Sequence, residues 1–243
     1  MRFGLKNWAA WAPGREQRSD WEAWTRSEVP ASAPAEPAVP MVPAMLRRRA
    51  DRLARMALRV AYEALGDTRG LPVVFVSRHG SVTRSAALLE ELASGTPLSP
   101  AGFASSVHNA ATGLLGIARE DRAPCSAVAA GDASLVAMLT EAAAFHADGY
   151  GEVLGILCDE EVPAYYEPYL ECLPSSVAWA GVITAAEASD AALRFSISPD
   201  PSGDRSRASG EEPLLAWIRW LLDSAPALQC PGASGAWSLA RVD

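Results

Sequence analysis

The chain has 243 residues, a formal charge of −8, 49% hydrophobic and 21% charged residues. That apolar share supports a packed core and excludes a wholly disordered chain, and the acidic balance argues against bulk nucleic-acid binding, which needs cationic surface. Lys6 is the only lysine and stands in no Schiff-base or P-loop motif, and three histidines (His79, His108, His146) supply little for a metal centre.

Met1 to Trp8 has no continuous apolar run, so a secretory signal is not expected. No segment approaches the ~18 apolar residues of a membrane span, and a cytoplasmic location is expected. Residues 1–28 are rich in tryptophan (Trp8, Trp11, Trp21, Trp24). Val29 to Pro43 then carries five prolines in fifteen residues, which forbids a regular helix or central strand there. Residues 1–43 are therefore read as a Trp-rich start and Pro/Ala-rich arm, and residues 44–243 as the folded domain.

Leu46, Ala50, Leu53, Met56, Val60 and Ala64 recur at helical spacing from Ala44 until Gly66 stops them. Six arginines crowd this helix: 47, 48, 49, 52, 55 and 59. Leu71 to Val76 reads as a buried strand, Ser85 to Ala93 as a short helix, and Ser99-Pro100 opens a further segment. Ala127 to Ala130 is a short strand candidate. Asp132 follows as an N-cap for a helix over 133–147, ended by Gly149 and Gly151. Val153 to Cys158, Val177 to Ala185 and Leu193 to Ile197 read as strands. Residues 199–212 are a polar loop, Leu214 to Leu222 an amphipathic helix, and Trp237 to Arg241 a last short strand. Strands interleaved with helices predict a layered α/β fold.

The most specific stretch runs from Ser99 to Leu139. Ser99-Pro100, Phe103, Asn109, Gly113 and Ile117 are followed by Arg122-Ala123-Pro124-Cys125 and a small-residue turn, Gly131-Asp132-Ala133-Ser134. This pattern resembles the N-terminal half of a β-ketoacyl synthase. The start Trp8 to Gly14, the run Arg47-Arg48-Arg49 and the Trp-rich tail make the chain similar to the short chain-length factors of aryl polyene clusters. The resemblance implies a thiolase-like layered fold, a single half of a ketosynthase, with a mixed sheet flanked by helices.

In that family the turn after the short strand carries a nucleophilic cysteine at a helix N-terminus, where dipole and free N–H groups lower the thiol pKa. Ungapped counting puts Asp132 at this position, and a carboxylate forms no thioester. The histidines that hold the malonyl group belong to the family's second half, which this chain is too short to contain. The resemblance therefore implies a non-catalytic subunit with no cofactor and no metal. It would pair with a catalytic ketosynthase as a heterodimer and be visited transiently by an acyl carrier protein.

Gly102, Phe103, Val107 and Asn109 would then shape the partner's acyl tunnel. Arg47, Arg48 and Arg49 would form a carrier-protein dock, against the plainer reading of a solvated face. Two alternatives stay open. One is a small acyltransferase or thioesterase using Cys125 and His108; the other is a stand-alone scaffold. The plainer readings are a buried thiol for Cys125, packing for His108, a loop position for His79 and a charged helix end for His146. The four cysteines show no CxxC and suggest neither a zinc site nor a disulfide framework.

Overall fold

A computed structural model describes residues 1–26, 36–170, 172–201, 211–232 and 235–242. Pro30, Pro34 and most of the polar loop over 199–212 lie outside the described residues. Among the described residues no helix is long and apolar enough to cross a membrane.

The elements follow in chain order as β1 (Arg2–Trp11), α1 (Arg18–Arg26), α2 (Ala44–Arg47), α3 (Arg52–Leu65), β2 (Val73–Val76), α4 (Val82–Ala93), α5 (Pro100–Ala104) and α6 (Ala110–Arg119). After them come β3 (Cys125–Val128), α7 (Ser134–Ala147), β4 (Glu152–Asp159), β5 (Val177–Ala185), β6 (Leu193–Asp200), α8 (Pro213–Leu222), β7 (Ala227–Gly232) and β8 (Gly235–Arg241). The strands form one mixed sheet in the order β3-β2-β4-β5-β1-β6-β8-β7. β2 is parallel to both β3 and β4, and the other neighbours are antiparallel.

Helices cover both faces. On one, α3 packs Leu53, Met56, Val60 and Ala64 against Trp11, Phe75, Leu154 and Ile156. On the other, α7 and α8 bury Met138, Leu139, Trp217 and Ile218 against Phe3, Trp179 and Phe195. Met138 lies across Gly155 of β4, where an added Cβ would come within 2.6 Å of its sulfur, so the glycine sets how closely α7 approaches the sheet.

β1 is the main departure from the sequence reading, which gave this segment no strand. It lies in the middle of the sheet between β5 and β6. The pairing register slips between Leu5 and Asn7, leaving Lys6 as the bulged residue. Phe3 and Leu5 therefore face α7 and α8, whereas Ala9 and Trp11, of the same parity, face α3. Lys6 turns outward to Glu152 (3.0 Å) and Asp190 (2.7 Å).

The expected single helix from Ala44 is two. The Asp51 carboxylate accepts from Ala54 N at 2.8 Å and starts α3 afresh. Arg55 closes the break by donating to the carbonyls of Arg47 and Ala50. Of the Pro/Ala arm, the described residues 36–43 are irregular and put Val39 and Val42 into the α3 core. β7 is a further strand absent from the sequence reading.

Candidate functional site

β2, β3 and β4 run parallel, and the chain leaves their carboxyl ends toward one edge of the sheet. In open α/β sheets this edge is where ligand chemistry concentrates. Here it carries a cluster of charged groups. Ser77 and Arg78 follow β2, Asp132 lies in the 3₁₀ turn after β3, Asp159 ends β4, and Glu212 immediately precedes α8.

Arg78 ties the cluster together. Its buried guanidinium reaches Asp132 at 3.2 Å and donates to the Cys172 carbonyl at 3.3 Å. Its backbone N–H and the Ser77 hydroxyl both donate to Asp159, at 2.7 and 3.0 Å. Burial raises the Asp159 carboxyl, opposed by the Arg78 N–H and charge and by Ser77. Glu212 accepts from Ser175 N at 3.0 Å, and burial pushes its carboxyl up to about 7. Glu160, whose carboxylate receives Thr83 N at the start of α4, is likewise pushed up to about 7 by burial. Burial lowers His79 in the same region.

Asp132 is therefore not the N-cap that was expected. A 3₁₀ turn intervenes, α7 begins at Ser134, and no side chain caps it. The carboxylate turns to Arg78 because a buried cation there needs an anion more than the helix needs a cap. Nor does this turn hold an activated nucleophile. The Ser134 hydroxyl donates to the Gly131 carbonyl at 2.6 Å. Cys230 shares a small cavity with Asp132, but burial pushes its thiol up to about 12, leaving it un-ionised.

The pair Cys125 and His108 does not assemble. His108 Nε2 meets the Val128 carbonyl at 3.0 Å and its ring packs on Phe75. Cys125 stands three residues earlier on the same strand, about 10 Å away at ~3.3 Å per residue. Cys125 is exposed, contrary to the buried thiol expected, and all four cysteines are free. His146 contacts Phe3, and burial lowers its pKa, so it is a neutral packing residue rather than a cation at the helix end. Among the described residues no three His, Cys, Asp or Glu side chains gather in a metal-binding arrangement.

The second region is the outer edge of the sheet. β3 pairs only with β2 and is half exposed. Val73 N and Ser77 N donate to the carbonyls of Pro124 and Val128. The alternate residues Cys125 and Ala127 therefore direct their backbone groups to the open side. The neighbouring segment from α4 to α6 leaves Leu89, Leu92, Leu98, Phe103, Val107 and Ile117 exposed, Leu92, Phe103 and Ile117 by more than 60%. Gly102, Val107 and Asn109 line one cavity of about 670 Å³, and Arg48 and Arg49 line it too. Phe103 is outside its lining and projects to solvent. Arg47 is half-buried in the α2 turn.

Residues 21–239 match the family described as beta-ketoacyl synthase, N-terminal domain. The chain belongs to this family. Among solved structures, the β-ketoacyl synthase domain is similar to a chain of the ketosynthase ApeO in complex with its chain length factor ApeC from Xenorhabdus doucetiae. The identity is 26% and the TM-score 0.83, over 99% of this chain and 100% of that one. A chain of the ishigamide ketosynthase/chain length factor gives 15% identity and a TM-score of 0.71, with 99% of each chain covered. The ketosynthase from module 6 of the bacillaene synthase of Bacillus subtilis 168 shares the fold at 12% identity and a TM-score of 0.61. There 84% of this chain spans 42% of that one. No curated protein matches. These likenesses agree with the mixed, helix-flanked, thiolase-like sheet expected from the sequence.

Arg78, Asp159, Glu160 and Glu212 were not singled out from the sequence. The signal was present for three of them: charged residues stand within two positions after the apolar runs Leu71 to Val76 and Val153 to Cys158, at what prove to be the carboxyl ends of parallel strands. Glu212 arrives from a distant element and carried no such mark.

Proposed function

We propose that this chain is a non-catalytic chain-length factor of the aryl polyene type. It pairs with a catalytic β-ketoacyl synthase and shapes the partner's acyl tunnel during polyene or polyketide assembly, and an acyl carrier protein delivers the substrates. The observation that carries this reading is the ion pair of Asp132 with Arg78 at the turn where the resemblance places the nucleophilic cysteine. A carboxylate held by a buried guanidinium neither forms a thioester nor releases its site to an acyl group.

Four further observations support it. The chain matches a member of a ketosynthase–chain length factor complex over its whole length. β3 presents an open strand edge. Phe103, Val107 and Ile117 expose apolar surface beside that edge, where solvent contact is unfavourable unless a partner covers it. Arg48 and Arg49, exposed near the same face, suit an acidic carrier protein. The acyltransferase alternative is not favoured, because Cys125 and His108 stand at opposite ends of β3.

The test is acylation of the co-purified complex with a radiolabelled acyl donor. Label confined to the ketosynthase subunit supports the proposal, and label on Cys125 of this chain overturns it. Phe103→Ala, which removes bulk from the partner-facing segment, should lengthen the product; an unchanged product distribution would count against the tunnel role.

A further inference from the structure

The connection from β4 to β5 has a composition of its own. Residues 160–173 hold four glutamates, three tyrosines and no lysine, arginine or histidine. Ala164–Tyr169 winds into a 3₁₀ turn that leaves Tyr165 51% and Tyr169 82% exposed, with Leu173 beside them at 53%. The Tyr165 and Tyr166 rings lie 4.8 Å apart. Glu161 and Glu167 are exposed on the same segment, and Glu90 of α4 accepts from the Tyr165 hydroxyl at 3.2 Å. The segment is fixed at both ends. Glu161 N donates to Ser176 Oγ at 3.4 Å, and the Glu161 carbonyl accepts from Thr83 Oγ1 at 3.5 Å. At the far end Arg78 holds the Cys172 carbonyl and Ser175 N donates to Glu212. Pro163, Pro168 and Pro174 restrict the backbone between. A surface fixed in this way loses less conformational entropy when a partner covers it.

Elsewhere in the chain arginine covers ring faces. Arg18 lies over Trp8, Arg15 and Arg219 over Trp24, Arg119 over Tyr62 and Arg241 over Trp220, at 4.2–5.1 Å. Among the described residues no arginine covers Tyr165, Tyr166 or Tyr169, and the segment's one ion pair is Arg52 with Glu161 at 3.8 Å. Exposed rings bordered by carboxylates suit a guanidinium, which stacks on a ring face and pairs with a carboxylate in its own plane. An ammonium offers a point charge only. We propose that the segment over 161–173, with Glu90, is a docking surface for an arginine-bearing face of another protein. Charge complementarity selects this occupant: the surface carries Glu90, Glu161 and Glu167 and no basic residue of its own. The carrier-protein dock proposed at Arg48 and Arg49 has the opposite charge, so the two surfaces take different partners. The inference does not depend on pairing with a ketosynthase, which co-purification tests separately.

The experiment is calorimetric titration and amide hydrogen exchange of the full chain with two alanine-based peptides of equal length and charge. One presents arginines and the other lysines at the same positions. The arginine peptide should bind about fivefold more tightly than the lysine peptide and slow exchange over residues 161–173. The double variant Tyr165→Ser/Tyr169→Ser should reduce the arginine peptide to the lysine level with an unchanged melting temperature, because both side chains are more than half exposed. Glu161→Gln/Glu167→Gln should weaken both peptides alike, since it removes charge and leaves the rings. No binding of the arginine peptide, equal binding of the two peptides, or undiminished binding by the tyrosine variant would overturn the proposal. So would protection spread over the acidic surface at large instead of this segment.

Discussion

Replacing Glu212 by glutamine tests the electrostatics of the strand-end cluster. In the folded chain Glu212 accepts from Ser175 N, is buried beside Asp159, and has its carboxyl pushed from 4.5 up to about 7. The proton is thus held about 3 kcal/mol more tightly in the folded than in the unfolded chain, at ~1.4 kcal/mol per pH unit. Because the folded pKa is raised, this stabilisation is complete below pH 4.5 and is lost as the pH rises through about 7. Glu160, raised to the same value, adds to the same trend.

Urea melts at intervals between pH 5 and pH 8.5 should therefore show stability falling over that window. Glutamine cannot ionise, yet it keeps an oxygen for Ser175 N. Glu212→Gln should match the parent at pH 5 and exceed it by about 2–3 kcal/mol at pH 8. A parent whose stability rises from pH 5.5 to pH 8, with a Gln variant weaker at pH 8, would refute the reasoning. It would mean that Arg78 holds Glu212 as an anion.

The two ends of the Arg78–Asp132 pair should respond unequally. Asp132 is partly exposed, so Asp132→Asn should cost no more than about 1 kcal/mol in a denaturant melt, whereas Arg78→Ala removes the guanidinium charge that opposes the burial of Asp159 and should cost about 3 kcal/mol. Trp217 packs edge-on against Trp179 and Phe195 and stacks on Trp220, so Trp217→Ala should cost about 3–5 kcal/mol and lower the melting temperature by roughly 10 °C. Thiol titration should label the exposed Cys125 in the native chain. Cys158 and Cys230, both buried and with raised pKa values, should react only after unfolding.

Most of the fold was legible where one periodicity ran uninterrupted. β4 and β5 read as strands because both their faces are buried, and α3 and α8 because their apolar stripes are continuous. β1 was not legible, since its alternation changes phase at Lys6 and a one-residue bulge is invisible without the partner strand. The site was half legible. The motif from Ser99 to Ser134 located the turn and the exposed segment. The partner of Asp132 was hidden, because Arg78 lies more than fifty residues away and meets it only through the parallel pairing of β2 and β3. The expected carrier-protein dock and the expected tunnel segment also adjoin: Arg48 and Arg49 share one cavity with Gly102, Val107 and Asn109, which spacing alone did not suggest.

Pairing with a ketosynthase is the central claim, and native mass spectrometry of the chain co-expressed with a β-ketoacyl synthase of the aryl polyene type tests it directly. Cys125 and Ala127 direct their backbone groups away from β2, so Ala127→Pro removes an outward N–H and leaves the β2 ladder intact. A one-to-one complex with the parent chain, lost with Ala127→Pro while the variant keeps its melting temperature, is the predicted result. A parent chain that stays a stable monomer in the presence of the ketosynthase would contradict the account.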